Sequence, residues 1–234
     1  MYNTKPELGA AIKQSKVPRN KLFVTTKVMR NIADIPKALD ESLAKLKLGY
    51  VDLYLIHEPF FANSDEDLQK AWKAMEQVKE SGKAKSIGVS NYLRPHLDAT
   101  LKIAKYPPVI NQIEYHPYLQ HGDLVAYHKN KNIAVAAYAP LVPVTKAKGG
   151  PLDQLLEKLA RKYAVGPEEI LLRWCIDQGF VAITTSGKEQ RMSDYLRAMT
   201  FKLTRTEIDE ISEIGKEHHH RAYWSQKFDA DDRA

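Results

Sequence analysis

Six short, mostly apolar runs alternate with amphipathic helical segments, and this alternation limits the possible folds more than any other feature of the sequence. The run VDLYLIH is apolar over most of its length, as strands are when a parallel sheet buries both of their faces. The period-2 and branched-residue signals predict strands at 22–28, 51–57, 84–90, 109–114, 133–138 and 181–185. Alternation of this kind leaves two main architectures, the open doubly wound sheet and the closed (β/α)8 barrel.

The glycine pattern separates these two architectures. Open dinucleotide-binding sheets usually carry a G-x-G-x-x-G turn after their first strand, and that motif does not occur here. We therefore predict an α/β fold of the (β/α)8 TIM-barrel type, forming a single domain over residues 1–234 with a C-terminal tail at 218–234. Because the chain opens on a helix and has about six strands, we expect an N-terminally truncated barrel. Helices are predicted at 6–14, 35–48, 68–81, 95–104, 122–130, 152–163, 167–178, 189–199 and 206–216.

Composition excludes several classes of protein. The formal net charge is +6, but the lysines alternate with acidic residues along the helices, which is typical of a solvated face and argues against nucleic acid as a partner. No apolar run is long enough to span a membrane, and the N-terminus has no signal-peptide pattern, so we expect a soluble, cytoplasmic protein. The single Cys175 is predicted to be a small buried apolar residue. His218–His220 are assigned to a solvated tail, and no metal site is predicted.

Polar residues stand where several predicted strands end. Lys27 closes the strand LFVTTK, His57 closes VDLYLIH, and Ser90 and Asn91 follow KSIGV. In a barrel the carboxyl ends of the strands meet at one rim, where active sites are built, so these side chains are expected to share a site. Taken singly, each also has an ordinary structural interpretation, since a strand-end lysine is often solvated and a lone histidine is usually structural.

A series of motifs along nearly the whole chain resembles the aldo-keto reductase family, and its fungal members in particular. The motifs are KLFVTTKV, DESLAKLKLGYVDLYLIHEP, GKAKSIGVSNY, NQIEYHPY, AVAAYAPL and ITTSGKEQRM, in the order and at the spacing of the family. The first residues, MYNTKPELGAAI, resemble the segment in which the catalytic tyrosine precedes a helix, which implies that Tyr2 is this tyrosine. The resemblance implies an NAD(P)H-dependent oxidoreductase that reduces aldehydes or ketones to alcohols.

The chemistry of carbonyl reduction suits these residues. It requires a hydride donor held over the carbonyl carbon and an acid that protonates the oxygen. Tyr2 would be the acid, and because a tyrosine with its ordinary pKa near 10 is a poor acid at neutral pH, it needs a nearby cation, which Lys27 could supply. A neutral His57 could donate a hydrogen bond to the carbonyl oxygen and orient it.

Two further groups of residues are expected to hold the cofactor. The resemblance implies that Ser90, Asn91 and Gln112 bind the nicotinamide amide and that Tyr138 stacks on the nicotinamide ring.

The second group follows the last strand. Ser186 and Lys188 stand before a helix, which offers backbone N–H groups and positive charge to a phosphate. The resemblance implies that Arg191 packs on the adenine and reaches the ribose phosphate, and that Asp194 contacts the adenine amino group. These residues favour NADP. NAD stays possible, because Thr185 stands where many relatives have lysine.

The missing start of the barrel leads to the remaining expectations. Family members carry, before their tyrosine, an aspartate that pairs with the lysine, and no residue of this sequence matches it. We therefore expect impaired hydride transfer, and possible self-association through the open barrel edge. The predicted partners are thus a small carbonyl substrate and a second copy of the chain, and neither nucleic acid nor a membrane is expected. The alternative function is a catalytically inactive NADP-binding or assembly protein derived from this family.

Overall fold

The computed structural model of the protein describes residues 4–229 and 232–233, and the chain forms two compact units, Met1–Asn111 and Gln112–Ala234. Strand β4, Ile110–Glu114, crosses the boundary between them. The first unit otherwise contains α1 Lys5–Gln14, β1 Thr25–Val28, α2 Ile35–Leu46, β2 Val51–Ile56, α3 Asp65–Glu80, β3 Ala84–Ser90 and α4 Arg94–Leu101. The second contains α5 Asp123–Asn130, β5 Ala134–Tyr138, α6 Val142–Thr145, α7 Asp153–Tyr163, α8 Pro167–Asp177, β6 Val181–Ile183, α9 Glu189–Leu196 and α10 Arg205–Lys216.

The first unit is built on three parallel strands in chain order. β1 pairs with β2 in a register that places Val28 beside Ile56, and β2 pairs with β3 so that Ile56 lies beside Val89. All six residues of β2 are buried, as the apolar run predicts for a central parallel strand. This register aligns the carboxyl ends of the three strands, and it therefore brings the residues that follow them to one edge.

Local sequence signals account for the helices that cover these strands. Asp34 accepts a hydrogen bond from the Lys37 N–H group at the start of α2, and Ser64 does the same for Asp67 at the start of α3. Helix α1 packs closely against α2 at a glycine, because a Cβ atom on Gly9 would lie 2.5 Å from the Leu46 carbonyl oxygen. Only glycine permits this approach of the two helices.

The second unit has a core of aromatic and branched side chains. Tyr115 stacks on Trp174 with ring centroids 5.2 Å apart and meets Phe180 edge-to-face at 4.6 Å. The Trp174 indole N–H donates to the Ser212 hydroxyl at 3.1 Å, so α8 is tied to α10. The strands β5 and β6 are parallel, and the Tyr115 N–H just after β4 donates to the carbonyl of Tyr138 at 3.2 Å. The ends of β4 and β5 are therefore adjacent.

All six predicted strands and the nine predicted helices are present, with ends that differ by one to a few residues. No end differs by more than three residues. Strand β1, for example, begins three residues later than predicted because Arg19–Lys21 form a 3-10 turn and the Val24 N–H donates to the Asp52 carboxylate instead of extending the strand. Helix α6 was not predicted, since four residues are too few to display a helical period. Cys175 is fully buried, as predicted. Within the described part of the chain, no helix has the length and apolar character needed to cross a membrane.

Candidate active site

Lys27 is the central cation of the candidate site in the first unit. It lies on β1, one residue before the end of the strand, and its side chain is only partly exposed. Burial lowers the pKa of the ammonium group to about 8, because the charged form is less well solvated there than in water. At pH 7 the group is still mostly protonated, but it releases its proton far more readily than an ordinary lysine. A cation of this kind lowers the pKa of any hydroxyl group brought beside it.

His57 lies at the end of the neighbouring strand. Its backbone N–H donates to the Val28 carbonyl at 2.9 Å, which continues the pairing of β1 and β2 by one residue. Burial, and secondarily the positive charge of Lys27, lower the pKa of the imidazole to about 4. The ring is therefore neutral at physiological pH, and a neutral imidazole can donate a hydrogen bond to a carbonyl oxygen without giving up a proton.

Ser90 and Asn91 complete this edge at the end of β3. Both are buried, and Asn91 has the left-handed backbone conformation, with φ of 61°, that asparagine tolerates better than most residues. The Asn91 Nδ2 atom donates to the His57 carbonyl at 2.9 Å and contacts the Ser90 hydroxyl at 3.2 Å. The amide thus ties the ends of β2 and β3 together.

The structure brings Lys27, His57, Ser90 and Asn91 to one edge of the first unit, as the strand-end pattern predicted. Tyr2, the predicted acid, lies outside the described residues, so its place relative to Lys27 stays a prediction. Helix α1, which follows it, is held by a hydrogen bond of 2.7 Å from the Lys5 ammonium group to the Ser42 hydroxyl of α2.

Gln112 and Tyr138 belong to the second unit. Gln112 is buried on β4, and Tyr138 is the partly exposed last residue of β5. Burial, and then the negative charge of Glu114, raise the pKa of the Tyr138 hydroxyl. The ring consequently stays neutral over the physiological range, and it presents an aromatic surface of the kind that stacks on a planar heterocycle.

The predicted phosphate-binding residues surround the start of α9. The Ser186 hydroxyl accepts a hydrogen bond of 3.1 Å from the Lys188 N–H, and Lys188, the residue that precedes the helix, makes no side-chain cap. Lys188 and Arg191 are exposed, whereas Asp194 is half-buried and accepts a bond of 2.9 Å from the Gln190 amide. Backbone N–H groups at a helix start, a hydroxyl and two cations are the donors that bind phosphate, so the residues present fit the adenosine phosphate part of NADP.

A cavity of about 330 Å³ lies between α8 and α9 in the second unit. Its lining mixes both signs of charge, and the residues are Gly166, Glu168, Glu169, Arg191, Asp194, Tyr195 and Arg197. Of the predicted cofactor-binding residues, it contains Arg191 and Asp194 but neither Ser186 nor Lys188. The sequence analysis did not anticipate the two glutamates, because PEE at the start of a helix is also the ordinary composition of a first helical turn.

Sequence analysis also overlooked Glu114, a carboxylate that is only 2% exposed at the end of β4. It accepts hydrogen bonds from the backbone N–H groups of Ala222 at 2.7 Å and Tyr223 at 3.0 Å in the C-terminal tail. The available signal was the glutamate that ends the strand INQIE, whose other residues are apolar or carry amides. A buried strand carries a carboxylate only when that carboxylate has hydrogen-bond partners. Among the described residues, no cluster of histidine, cysteine and acidic side chains could hold a metal ion.

Comparison with known proteins identifies the family. The sequence profile described as "Aldo/keto reductase family" matches residues 1–216. The chain is 41% identical to the NAD/NADP-dependent indole-3-acetaldehyde reductase of Schizosaccharomyces pombe, over 95% of this chain and 80% of that protein. It is 40% identical to the NADPH-dependent alpha-keto amide reductase of Saccharomyces cerevisiae, over 97% and 77% of the two chains.

Solved structures agree with this result. An aldo-keto reductase from a deep-sea metagenome library superposes with a TM-score of 0.84 at 35% identity, over 91% of this chain and 78% of the other. A Bombyx mori aldo-keto reductase in complex with NADP gives a TM-score of 0.82 at 34% identity, over 91% and 75%. These similarities confirm the predicted α/β fold class of the TIM-barrel type, of which six strands lie in the described residues. The chain therefore belongs to the aldo/keto reductase family, and it is an NAD(P)H-dependent oxidoreductase.

Proposed function

We propose that this chain reduces small aldehydes or ketones to alcohols with NADPH as the preferred reductant. The observation that carries the proposal is the pair formed by Lys27 and His57 at the ends of adjacent strands, one a cation with a lowered pKa and the other a neutral imidazole. Relatives named for the reduction of indole-3-acetaldehyde, alpha-keto amides and glyoxal support a small carbonyl compound as the substrate.

The roles of the catalytic residues follow from their chemistry. NADPH, when bound, supplies a hydride to the carbonyl carbon. Tyr2 donates the hydroxyl proton to the carbonyl oxygen, and the Lys27 ammonium group stabilises the phenolate that remains. His57 donates a hydrogen bond to the same oxygen, which orients the carbonyl group and stabilises the negative charge that develops on it.

Cofactor binding is divided among the other predicted residues. Ser90, Asn91 and Gln112 would hold the nicotinamide amide, and Tyr138 would stack on the ring.

The cofactor phosphates would bind at the start of α9, where Ser186 and Lys188 would contact them. Arg191 would contact the adenine and the ribose phosphate, and Asp194 would contact the adenine amino group. The preference for NADPH over NADH is supported by the two exposed cations Lys188 and Arg191. Two features reduce this preference. Thr185 stands where many relatives have lysine, and Glu168 and Glu169 place negative charge in the cavity that contains Arg191.

The experiment is a cofactor titration followed by turnover. Purified protein is titrated with NADPH and with NADH while intrinsic fluorescence is recorded, and an aromatic aldehyde or a small α-dicarbonyl is then added while absorbance of the reduced nicotinamide is followed. We expect binding, impaired turnover, and loss of that turnover without loss of binding in Tyr2→Phe. Binding without turnover would favour a cofactor-holding protein without catalysis, and no binding of either nucleotide would refute the proposal.

Self-association through a second copy of the chain is a separate part of the proposal. Its support is the set of large apolar side chains exposed on and after β6, namely Val181, Leu196 and Met199, which are 53%, 70% and 65% exposed. Light scattering coupled to gel filtration measures the mass. A monomer at all concentrations up to those of crystallisation would contradict it.

A further inference from the structure

A buried carboxylate attaches the C-terminal tail to the rest of the second unit. Glu114 accepts hydrogen bonds from two consecutive tail N–H groups, one to each carboxylate oxygen, at 2.7 Å from Ala222 and 3.0 Å from Tyr223. Its Oε1 atom is also 3.1 Å from the ring Nε2 of His116, which is fully buried. A buried polar group is retained only where such partners compensate for the lost water, so the tail backbone and the Glu114 side chain satisfy each other's hydrogen bonds.

Two consecutive tail residues at this attachment, Tyr223 and Trp224, contact the side chain of Tyr138. The Tyr223 ring meets the Tyr138 ring edge-to-face, with centroids 5.7 Å apart and planes at 81°, and the Trp224 side chain hydrogen-bonds to the Tyr138 hydroxyl. A perpendicular ring can cover at most one face of Tyr138, so a planar ligand can still stack on the ring. The Lys146 ammonium group lies 4.2 Å from the centroid of the Tyr223 ring and adds a cation–π contact.

These contacts form a chain that leads from Glu114, at the end of β4, to the orientation of the Tyr138 ring. Glu114 fixes the backbone of Ala222 and Tyr223, this backbone fixes the Tyr223 and Trp224 side chains, and these two side chains restrict the rotation of the Tyr138 ring. We propose that Glu114 is a positioning residue for the nicotinamide half of the cofactor, acting through the tail on Tyr138. This inference rests on the proposed function, because it requires that Tyr138 stack on the nicotinamide.

A purely structural role for Glu114 is the competing explanation, and the chain offers a matched control. Glu76 on α3, 5% exposed, also accepts hydrogen bonds from two consecutive backbone N–H groups, those of Lys105 at 2.6 Å and Tyr106 at 3.0 Å. Both glutamates are therefore buried carboxylates that hold a loop backbone. Glu76 holds a loop of the first unit, whereas Glu114 holds the tail of the second.

The experiment compares the full chain with Glu114→Gln and Glu76→Gln. Each protein is titrated with NADPH, which carries the nicotinamide, and with 2′,5′-ADP, which carries only the adenosine phosphates. Loss of charge-assisted hydrogen bonds predicts an NADPH dissociation constant about tenfold higher for Glu114→Gln. The 2′,5′-ADP dissociation constant should not change. Glu76→Gln should bind both ligands as the unchanged chain does.

Limited trypsin digestion gives a readout that does not involve the cofactor. Release of the tail from Glu114 exposes the bonds after Arg221 and Lys227, so these should be cut about tenfold faster in Glu114→Gln than in Glu76→Gln. If Glu114→Gln does not fold, Tyr223→Ala removes the contact with Tyr138 while leaving the backbone N–H groups in place. Tyr223→Ala should lower the affinity for NADPH but not the affinity for 2′,5′-ADP. Tyr223→Phe, which keeps the ring, should bind NADPH as the unchanged chain does.

The outcomes separate this inference from the proposed function. If the unchanged chain binds NADPH and Glu114→Gln or Tyr223→Ala binds it equally well, the positioning role is overturned and the proposed function stands. Two other results would also overturn it, because a general loss of structure would explain them. One is an equal loss of affinity for NADPH and for 2′,5′-ADP in Glu114→Gln, and the other is a loss of NADPH affinity in Glu76→Gln as large as that in Glu114→Gln. If the unchanged chain does not bind NADPH, the proposed function fails and the positioning role fails with it.

Discussion

The neutral state of His57 is the feature of the candidate site that stability measurements test most directly. Its pKa falls from 6.5 to about 4 in the folded protein, a shift worth about 3 kcal/mol. We reduce this to about 2 kcal/mol because the ring is partly exposed and solvent screens its charge. Since the folded-state pKa is lowered, the unfolded chain binds the proton more tightly. This contribution to stability is therefore complete above pH 6.5 and is lost as the pH falls toward 4.

The assay compares the original chain with His57→Gln, which cannot take up the proton. Urea unfolding followed by circular dichroism gives the free energy of unfolding of both proteins between about pH 7.5 and 4. This range begins above the ordinary histidine pKa of 6.5 and ends at the folded-state pKa of about 4. The difference between the two should change by about 2 kcal/mol across this range, with the original chain losing more. Other buried histidines contribute equally to both proteins and cancel. A difference that does not vary with pH would refute the assignment of a neutral, partly buried imidazole.

Three further predictions follow from the same structure. Lys27→Met should lower kcat by about 100-fold or more while NADPH affinity stays the same, because it removes the cation that adjusts the catalytic acid. Glu168→Gln should raise the affinity for 2′,5′-ADP relative to 5′-AMP by about threefold, since a negative charge leaves the cavity that it shares with Arg191. Gly9→Ala should destabilise the protein by about 1–2 kcal/mol in urea unfolding, because the overlap with the Leu46 carbonyl exceeds the gain in helix propensity.

Each of these has a control and a contradicting result. A Lys27→Met variant that retains kcat within about threefold would remove the lysine from the mechanism. For the cavity, Arg191→Ala should lower the affinity for 2′,5′-ADP relative to 5′-AMP. If this ratio is unchanged in both Arg191→Ala and Glu168→Gln, the cavity does not contribute to nucleotide selection. Gly49→Ala is the control for Gly9, because a Cβ atom there meets nothing within 4 Å. Equal stability of the two alanine variants would contradict the close approach of α1 and α2.

The elements of this protein could be predicted from the sequence because their signals are local. The run VDLYLIH became the fully buried strand Val51–Ile56, and the leucine stripe of 35–48 became helix α2 with Leu39, Leu43 and Leu46 buried. Parallel pairing then follows from alternation with helices, so the meeting of Lys27, His57 and Ser90 at one edge was also predictable. Element ends were less accurate, because they depend on bonds such as that from Val24 to the Asp52 carboxylate, between residues far apart in the sequence.

The properties that make the candidate site reactive depend on tertiary structure. The order of elements, the residue types at the strand ends and the family were all determined by the sequence alone, because period, propensity and motif spacing are local quantities. The lowered pKa values of Lys27 and His57 come from burial, which depends on what packs around them. The hydrogen bonds from the tail to Glu114 join residues more than a hundred positions apart. No local pattern reports such a contact, since only the folded backbone brings the two segments together.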